Sequence, residues 1–369
     1  MLSDISVINP KSSDLPEIFK YVDLTSVTGT NLNNFSIMNK EDSPSRAQRL
    51  AKKGDIFYQT VRPYQRNNYF FDLDDNDYVF STGYAQIRTT QEPSFIFTIM
   101  QTNKFVDTVM NRTTGTSFPA ISTTDLSDID IKITSNKEEQ AKIGDLFRKV
   151  DALIEKQEGK VSKMEDFKKS MLQKMFPKKG QLVPDFRFEG FDGEWEEISI
   201  GDKFEVTMGQ SPNSENYTTD INAMILVQGN ADLENGHVTP RIFTKEVTKT
   251  SKKGDILMTV RAPVGTLAVN EYDVVIGRGV CSIKGNTFLY YSLTNMNLNN
   301  YWNRFSSGST FESINSLDIK NASLKIPSLA EQEKIGQFFK NIDTQIEAEQ
   351  KLLESYKQMK KSLLQKMFV

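Results

Sequence analysis

The sequence predicts an α+β protein: two globular α/β units in a pseudo-twofold arrangement, separated by a long antiparallel two-helix coiled coil. Three observations predict it. A long helical seam occurs twice, a set of short strand-like runs precedes each copy, and the two sets of runs share motifs.

The seam governs the rest. EEQAKIGDLFRKVDALIEKQEGKVSKMEDFKKSMLQKMF begins at Glu138, and AEQEKIGQFFKNIDTQIEAEQKLLESYKQMKKSLLQKMF begins at Ala330. Gln140 matches Gln332, Ile143 matches Ile335 and Gln173 matches Gln365, each 192 positions on. In the first copy Ile143, Phe147, Val150, Ile154, Val161, Met164, Met171 and Met175 keep a 3-4 spacing that Gln157 and Lys168 interrupt. The second copy repeats it with Ile335, Phe339, Ile342, Ile346, Leu353, Tyr356, Leu363 and Met367, interrupted by Glu349 and Lys360. An apolar stripe of that period flanked by Lys and Glu belongs to a long helix packed on another helix; its polar breaks either fix register or face a partner helix. About 38 residues at ~1.5 Å rise make a rod of roughly 57 Å, too long for one compact domain to bury on both sides. The two rods are therefore expected to bury each other. A first rod leading away from one unit and a second returning makes the pair antiparallel, and the expected shape is a dumbbell.

Residues 1–137 form the first unit. EIFKYVDLTSV, GDIFYQTVRP, YVFSTGYAQIRT and IDIKIT are β-branched and aromatic runs bounded by Gly, Asn, Asp and Pro, so they read as strands. PSFIFTIMQTNKFVDTVMNRT has its apolar residues at helical spacing and supplies one or two helices. The first spacer helix occupies 138–179 and ends at PKKGQLVP, where Pro177, Gly180 and Pro184 stop it. The second unit spans 180–327, and the second spacer helix 328–369. KKGDI at Lys52 returns at Lys252, and Thr60-Val61-Arg62-Pro63 returns loosely as Thr259-Val260-Arg261-Ala262-Pro263. Gly115-Thr-Ser-Phe118 returns as Gly308-Ser-Thr-Phe311, with Ile121 matching Ile314 and Asp125 matching Asp318. A repeat this long means a duplicated domain plus helix, not a stacked array. Gln181 to about Gln210 has no clear counterpart ahead of the first unit: that unit either lacks a strand or has its place covered by something else.

Composition narrows the chemistry. At 369 residues, 38% hydrophobic and 25% charged, the chain reads as a soluble protein of two domains plus the helices. No apolar run nears the roughly 20 residues of a membrane span, and the start carries no signal-peptide pattern, so a cytoplasmic location is expected. Cys281 and His237 are each the sole residue of their type, which removes disulfides, Cys/His zinc sites and most nucleophile-plus-base designs. His237 reads as a surface turn residue and Cys281 as a buried strand residue. A net charge of −3 gives no global pull toward nucleic acid, so a DNA binder of this composition must gather Lys and Arg on one face. Two similar frames with unlike interiors, held at fixed separation, suit two sites on one extended ligand such as duplex DNA.

On these residues the chain resembles the specificity subunit of type I restriction-modification systems. GTSFPAI and GSTFESI fit a G-[ST]-[ST]-F-x-x-I motif, and LKIPSLAEQEKIGQFF, the repeated KSxLQKMF helix end, VPDFRFEGFDGEWEE and TVRAPVGTLAVNEYDVVIGRGVCSIKG fit the same family. The likeness covers essentially the whole chain, with two departures: it begins abruptly inside the first recognition domain, and ITSNKEEQ stands where the second copy has IPSLAEQ. The resemblance implies a non-catalytic subunit with no cofactor of its own, whose two target-recognition domains each read one half of a bipartite, asymmetric double-stranded DNA site. It implies a helical spacer that docks two methyltransferase subunits, which carry S-adenosylmethionine, with restriction/translocase subunits joining later and no membrane involved. Neither a [DN]-P-P-[FY] tetrapeptide nor a G-x-x-x-x-G-K-[ST] loop is present; Asn9-Pro10-Lys11 fails at its third position.

For DNA contact the candidates in the first unit are Arg62, Tyr64, Arg66, Arg88, Asn111 and Arg112. In the second they are Gln210, Ser211, Arg261, Arg278, Arg304, Ser307 and Ser309. Arg suits G, Asn and Gln suit A, and Ser and Thr suit phosphates; against each stands the reading of an ordinary surface residue. Gly115 and Gly308 read first as turn glycines beside a capped short helix. Lys160, Lys163, Lys168, Lys169, Lys174, Lys178 and Lys179 either track phosphates or form a solvated helix face. A scaffold holding two protein-binding domains is the alternative, marked by the absence of salt-dependent DNA binding. A metal-dependent nuclease using Asp185 and Glu194 would cleave DNA with magnesium as the isolated chain.

Overall fold

In the computed structural model, residues 1–11, 14–305 and 313–368 are described. The chain divides into two compact units, Met1–Val161 with Glu349–Val369, and Ser162–Ala348. The spacer helices run from Lys137 to Met175 and from Leu329 to Met367, and each contributes to both units.

The first unit holds two four-stranded sheets. One is antiparallel in the order Ser6–Ile8, Tyr84–Thr89, Ile56–Gln59, Tyr69–Phe70. The other has the order Ser36–Asn39, Ile18–Val22, Tyr78–Ser81, Ala47–Leu50, with its two central strands parallel. Ile56–Gln59 and Tyr78–Ser81 are buried along their whole length, so both faces need apolar or hydrogen-bonded side chains. Phe57 and Phe80 from these strands stack with ring centroids 3.6 Å apart. The helical stretch forms two helices, Pro93–Gln101 and Asn103–Met110, separated where Thr102 caps the second by accepting from the Phe105 N–H.

The second unit repeats this topology. Its antiparallel sheet has the order Glu205–Met208, Val280–Lys284, Ile256–Thr259, Leu267–Val269. Its mixed sheet places Met224–Val227 parallel to Val274–Ile276, with Phe243–Thr244 and Thr250–Ser251 outside them and Tyr217–Thr218 added at one edge. The KKGDI motifs are the same turn: the Lys52 and Lys252 N–H groups donate to Asp55 and Asp255, both at 2.8 Å. Gly54 and Gly254 hold φ of +91° and +96°, the left-handed region that glycine enters without a Cβ clash.

Two expectations change. Thr60 and Val260 both accept from the isoleucine of the repeated motif, Ile121 and Ile314, and Val61 bridges Ala120 as Arg261 bridges Ser313. Arg261 therefore corresponds to Val61, and the pairing of Arg62 with Arg261 is off by one. Second, IDIKIT is not a strand. Its counterpart Ser323–Ile326 is one, because Glu196–Ser199 pairs with it in register. Leu2–Asp4 takes the place of Ile200–Lys203.

Within each unit the helix segments run antiparallel. In the first, Asp151 pairs with Lys360 at 2.5 Å and Gln157 donates to Glu349 at 2.6 Å, so one number rises as the other falls. In the second, Lys168 pairs with Asp343 at 2.5 Å and Phe176 packs on Phe339 with centroids 6.1 Å apart. The interrupted seam positions thus set register: Gln157 meets its own repeat-mate, and two Lys–Asp pairs recur. Burial pushes the Asp151 carboxyl above its ordinary range, against the pull of Lys360, so that pair lies where a lone charge is costly. The repeated K-I-G has a packing cause, since a Cβ on Gly144 would lie 2.8 Å from the Phe95 N, and one on Gly336 3.0 Å from the Phe288 N. Gln140 and Gln332, both buried, donate to the Thr134 and Pro327 carbonyls.

Candidate nucleic-acid interface

The second unit gathers three candidates at one rim. Ser211 Oγ accepts the Arg278 N–H at 3.1 Å, and the Gln210 N–H donates to the Ile276 carbonyl at 2.8 Å. Glycines make this approach possible: a Cβ on Gly209 would sit 2.1 Å from the Gly277 carbonyl oxygen, and one on Gly279 2.2 Å from that of Gln228. The side chains of Gln210 and Arg278 are left exposed. The Thr248 hydroxyl donates to the Gln210 carbonyl, and exposed Lys249 accepts the Ile276 N–H on its own carbonyl. Lys249 escapes sequence reasoning because only the sheet brings 248–249 beside 210 and 278.

In the first unit Arg62 and Arg66 flank the short turn Pro63–Gln65, both at left-handed φ, 55° and 58°. Non-glycine residues avoid that region, so two in one turn mark a shape held by its surroundings. Arg62 lies 4.3 Å from the Phe118 ring centroid; Arg66 donates to the Gln101 carbonyl at 3.2 Å and to Asn103 at 2.8 Å. Tyr64 projects from the same turn, 51% exposed. Arg66 also lines a cleft of ≈ 970 Å³ together with Lys357 and Lys361.

The other candidates are scattered. Arg88 makes two 2.8 Å bonds to the buried carboxylate of Asp55, so its fork is committed inside the fold. Asn111 ends a helix, and Arg112 donates to the Asp125 carbonyl at 3.1 Å; both are exposed. Arg261 is exposed, and Arg304 lies 3.6 Å from the Tyr301 centroid. Ser307 and Ser309, with Gly308, fall outside the described residues. Gly115 does take a turn conformation, φ +89°, and Ser122 caps the short helix Thr123–Ser127. Of the lysines, Lys160, Lys168 and Lys178 are in ion pairs with Glu349, Asp343 and Asp185, whereas Lys163, Lys169, Lys174 and Lys179 are exposed. Among the described residues no helix is long and apolar enough to cross a membrane.

The duplicated frame with unlike rims has counterparts among known proteins. The family described as type I restriction modification DNA specificity domain matches residues 7–165 and again 192–358. The chain belongs to this family. A putative type I restriction enzyme MjaX specificity subunit of Methanocaldococcus jannaschii is 29% identical over 238 residues, 62% of this chain and 56% of the relative. The type I restriction enzyme HindI specificity subunit of Haemophilus influenzae is 33% identical over 138 residues, 35% of this chain and 30% of that protein. The matches thus span about half the length, or less, of these curated relatives. A solved chain described under complex assembly and conformational transition of the type I R-M system is similar over 100% of this chain and 96% of its own, at 26% identity and a TM-score of 0.59. The type I restriction-modification S subunit from M. genitalium, at 16% identity and a TM-score of 0.66 over 100% and 95% of the two chains, shares the fold.

Proposed function

We propose that this specificity-domain chain reads a split double-stranded DNA site for a type I restriction-modification assembly, one half-site per unit, with no catalysis of its own. The observation that carries the reading is the recurrence of one sheet topology with different rims, Arg62–Arg66 in one unit and Gln210, Ser211 and Arg278 in the other. Gln210 and Arg278 offer an amide suited to adenine and a fork suited to guanine, while Arg62, Arg66 and Lys249 suit phosphates. Methyltransferase subunits carrying S-adenosylmethionine dock on the long helices, and restriction/translocase subunits join that complex, in the cytoplasm.

The test maps N6-methyladenine in cells expressing this chain with its methyltransferase. A split motif with a nonspecific gap is expected, and exchange of residues 1–137 for those of a relative alters one half of it. Methylation at a continuous motif, or an exchange that alters both halves, overturns the reading.

A further inference from the structure

The strand that follows each KKGDI turn ends at the same place with a different side chain. Ile56–Gln59 and Ile256–Thr259 are matching strands, buried along their whole length, and their last residues, Gln59 and Thr259, are 2% and 0% exposed. The chain then leaves each sheet beside the same neighbour. The Thr60 N–H donates to the Gly83 carbonyl and the Val260 N–H to the Gly279 carbonyl, both at 2.9 Å. In the second unit this sets the loop next to Arg278, the residue before Gly279.

The loops that follow differ, and the strand-end side chain holds the difference. Gln59 Nε2 donates to the Val61 carbonyl at 2.7 Å and to Gln65 Oε1 at 2.9 Å, and the Gln59 N–H donates to Asn68 Oδ1 at 2.7 Å. The long amide thus ties together the two sides of the turn that carries Arg62 and Arg66. Thr259 offers a short hydroxyl instead, which donates to the Pro263 carbonyl at 2.6 Å and accepts the Thr266 N–H at 2.9 Å. Its own N–H donates to the main-chain carbonyl of Thr266, where Gln59 uses the Asn68 side chain. The second loop is also one residue shorter, since Phe57 stands opposite Tyr69 but Leu257 stands opposite Ala268. The outcome is two different presentations. Tyr64 and Gln65 project beside a buried Pro63 in the first unit, whereas Arg261, Ala262 and Pro263 are all exposed in the second.

We propose that Gln59 and Thr259 are the positioning residues that set what each unit reads: both are too buried to touch DNA, and each fixes which side chains its loop presents, Arg62, Tyr64 and Arg66 in one unit and Arg261 in the other. The inference rests on the reading of a split DNA site proposed for this chain, and adds the internal position that lets two copies of one frame read unlike half-sites. A buried side chain that bonds two points of a loop accepts only one loop shape, because any other leaves those polar groups unpaired. Arg261, beside Arg278, then gives the second unit another fork suited to guanine or phosphate.

The test expresses the full chain with its methyltransferase, maps the methylated motif in cells, and measures duplex binding by the purified complex. Thr259→Val removes the hydroxyl at nearly constant volume, and Gln59→Met removes the amide at similar length. Each should relax or change one half of the motif, a different half for each, and lower the preference for target over random duplex by roughly tenfold, the weight of one or two hydrogen bonds. Random-duplex binding should persist, and Thr259→Ser, which keeps the hydroxyl, should retain the parent motif. Should the buried variants unsettle the fold, exposed side chains carry the test: Tyr64→Ala should change the half that exchange of residues 1–137 changes, and Arg261→Ala the other. Two sharp, unchanged halves in these variants, or Thr259→Ser failing as Thr259→Val does, overturns the proposal and leaves the split-site reading standing. A parent chain that gives no split motif overturns both.

Discussion

Three glycines of the long helices provide a graded test of how each unit is held to them. In a helix interior, Gly→Ala alone stabilises by about 0.8–1 kcal/mol. At Gly159 nothing lies within 4 Å of the added Cβ, so Gly159→Ala should stabilise by about that amount. At Gly144 the Cβ would meet Ser94 Oγ at 2.1 Å and the Phe95 N at 2.8 Å. The hydroxyl can rotate away, but the backbone nitrogen cannot, and overpacking of this kind costs about 1–3 kcal/mol. Gly144→Ala should therefore be destabilising by up to about 2 kcal/mol after the helix gain. At Gly336 the closest atoms are at 3.0 and 3.1 Å, so the net effect should fall between the other two. Denaturant unfolding followed by circular dichroism gives the ranking, and fluorescence locates it, since Trp195 and Trp302 both lie in the second unit. Gly336→Ala should move the tryptophan transition more than Gly144→Ala does. Equal stabilisation by all three substitutions would refute the packing argument.

Other outcomes follow from the polar contacts. Lys360→Met leaves the partly buried Asp151 unpaired and should cost about 2–4 kcal/mol, whereas the reversed pair Asp151→Lys with Lys360→Asp should recover much of the loss in a double-mutant cycle. For His237, burial alone would lower the imidazole's pKa, but hydrogen bonds to Glu347 and Glu271 carry it above its ordinary value. Its contribution is then full below the unfolded value of 6.5 and is lost as pH rises through the higher folded value. The stability gap between the parent and His237→Gln should shrink over that climb in thermal melts at a series of pH values. Arg278→Ala should leave the melting profile unchanged and weaken DNA binding by about 1–3 kcal/mol if the fork reads a base, or lower the salt slope by about one if it meets a phosphate. Arg88→Ala should instead destabilise the first unit, because it leaves buried Asp55 without its charged partner, with only the Lys52 N–H and the Gln86 amide still donating to it; a gel shift across salt concentrations separates the two.

Much of the architecture was legible because helical packing is periodic and local. The seam from Ile143 and Ile335, its interruptions at Gln157, Lys168, Glu349 and Lys360, and the stop at Pro177 all report on neighbours a few residues away. The antiparallel pairing then follows from the rod's length, the matching seams and a chain that leaves one unit and returns, and inside each unit the helix segments do pair that way. Strand runs such as Ile56–Gln59 were equally readable from their β-branched and aromatic content. IDIKIT was misread as a strand for a related reason: its composition is right, but a strand exists only when another supplies the other half of the ladder.

The sequence by itself determined the duplication, the two long helices, and a small vocabulary of arginines and amides for a site. Tertiary structure alone decided which of them gather. Arg88 and Arg278 look alike in sequence, yet one is bound to Asp55 and the other projects from a rim beside Gln210 and Ser211. The reason is that a hydrogen bond or a close glycine contact joins residues tens of positions apart, and sheet register, absent from any local pattern, sets which ones meet.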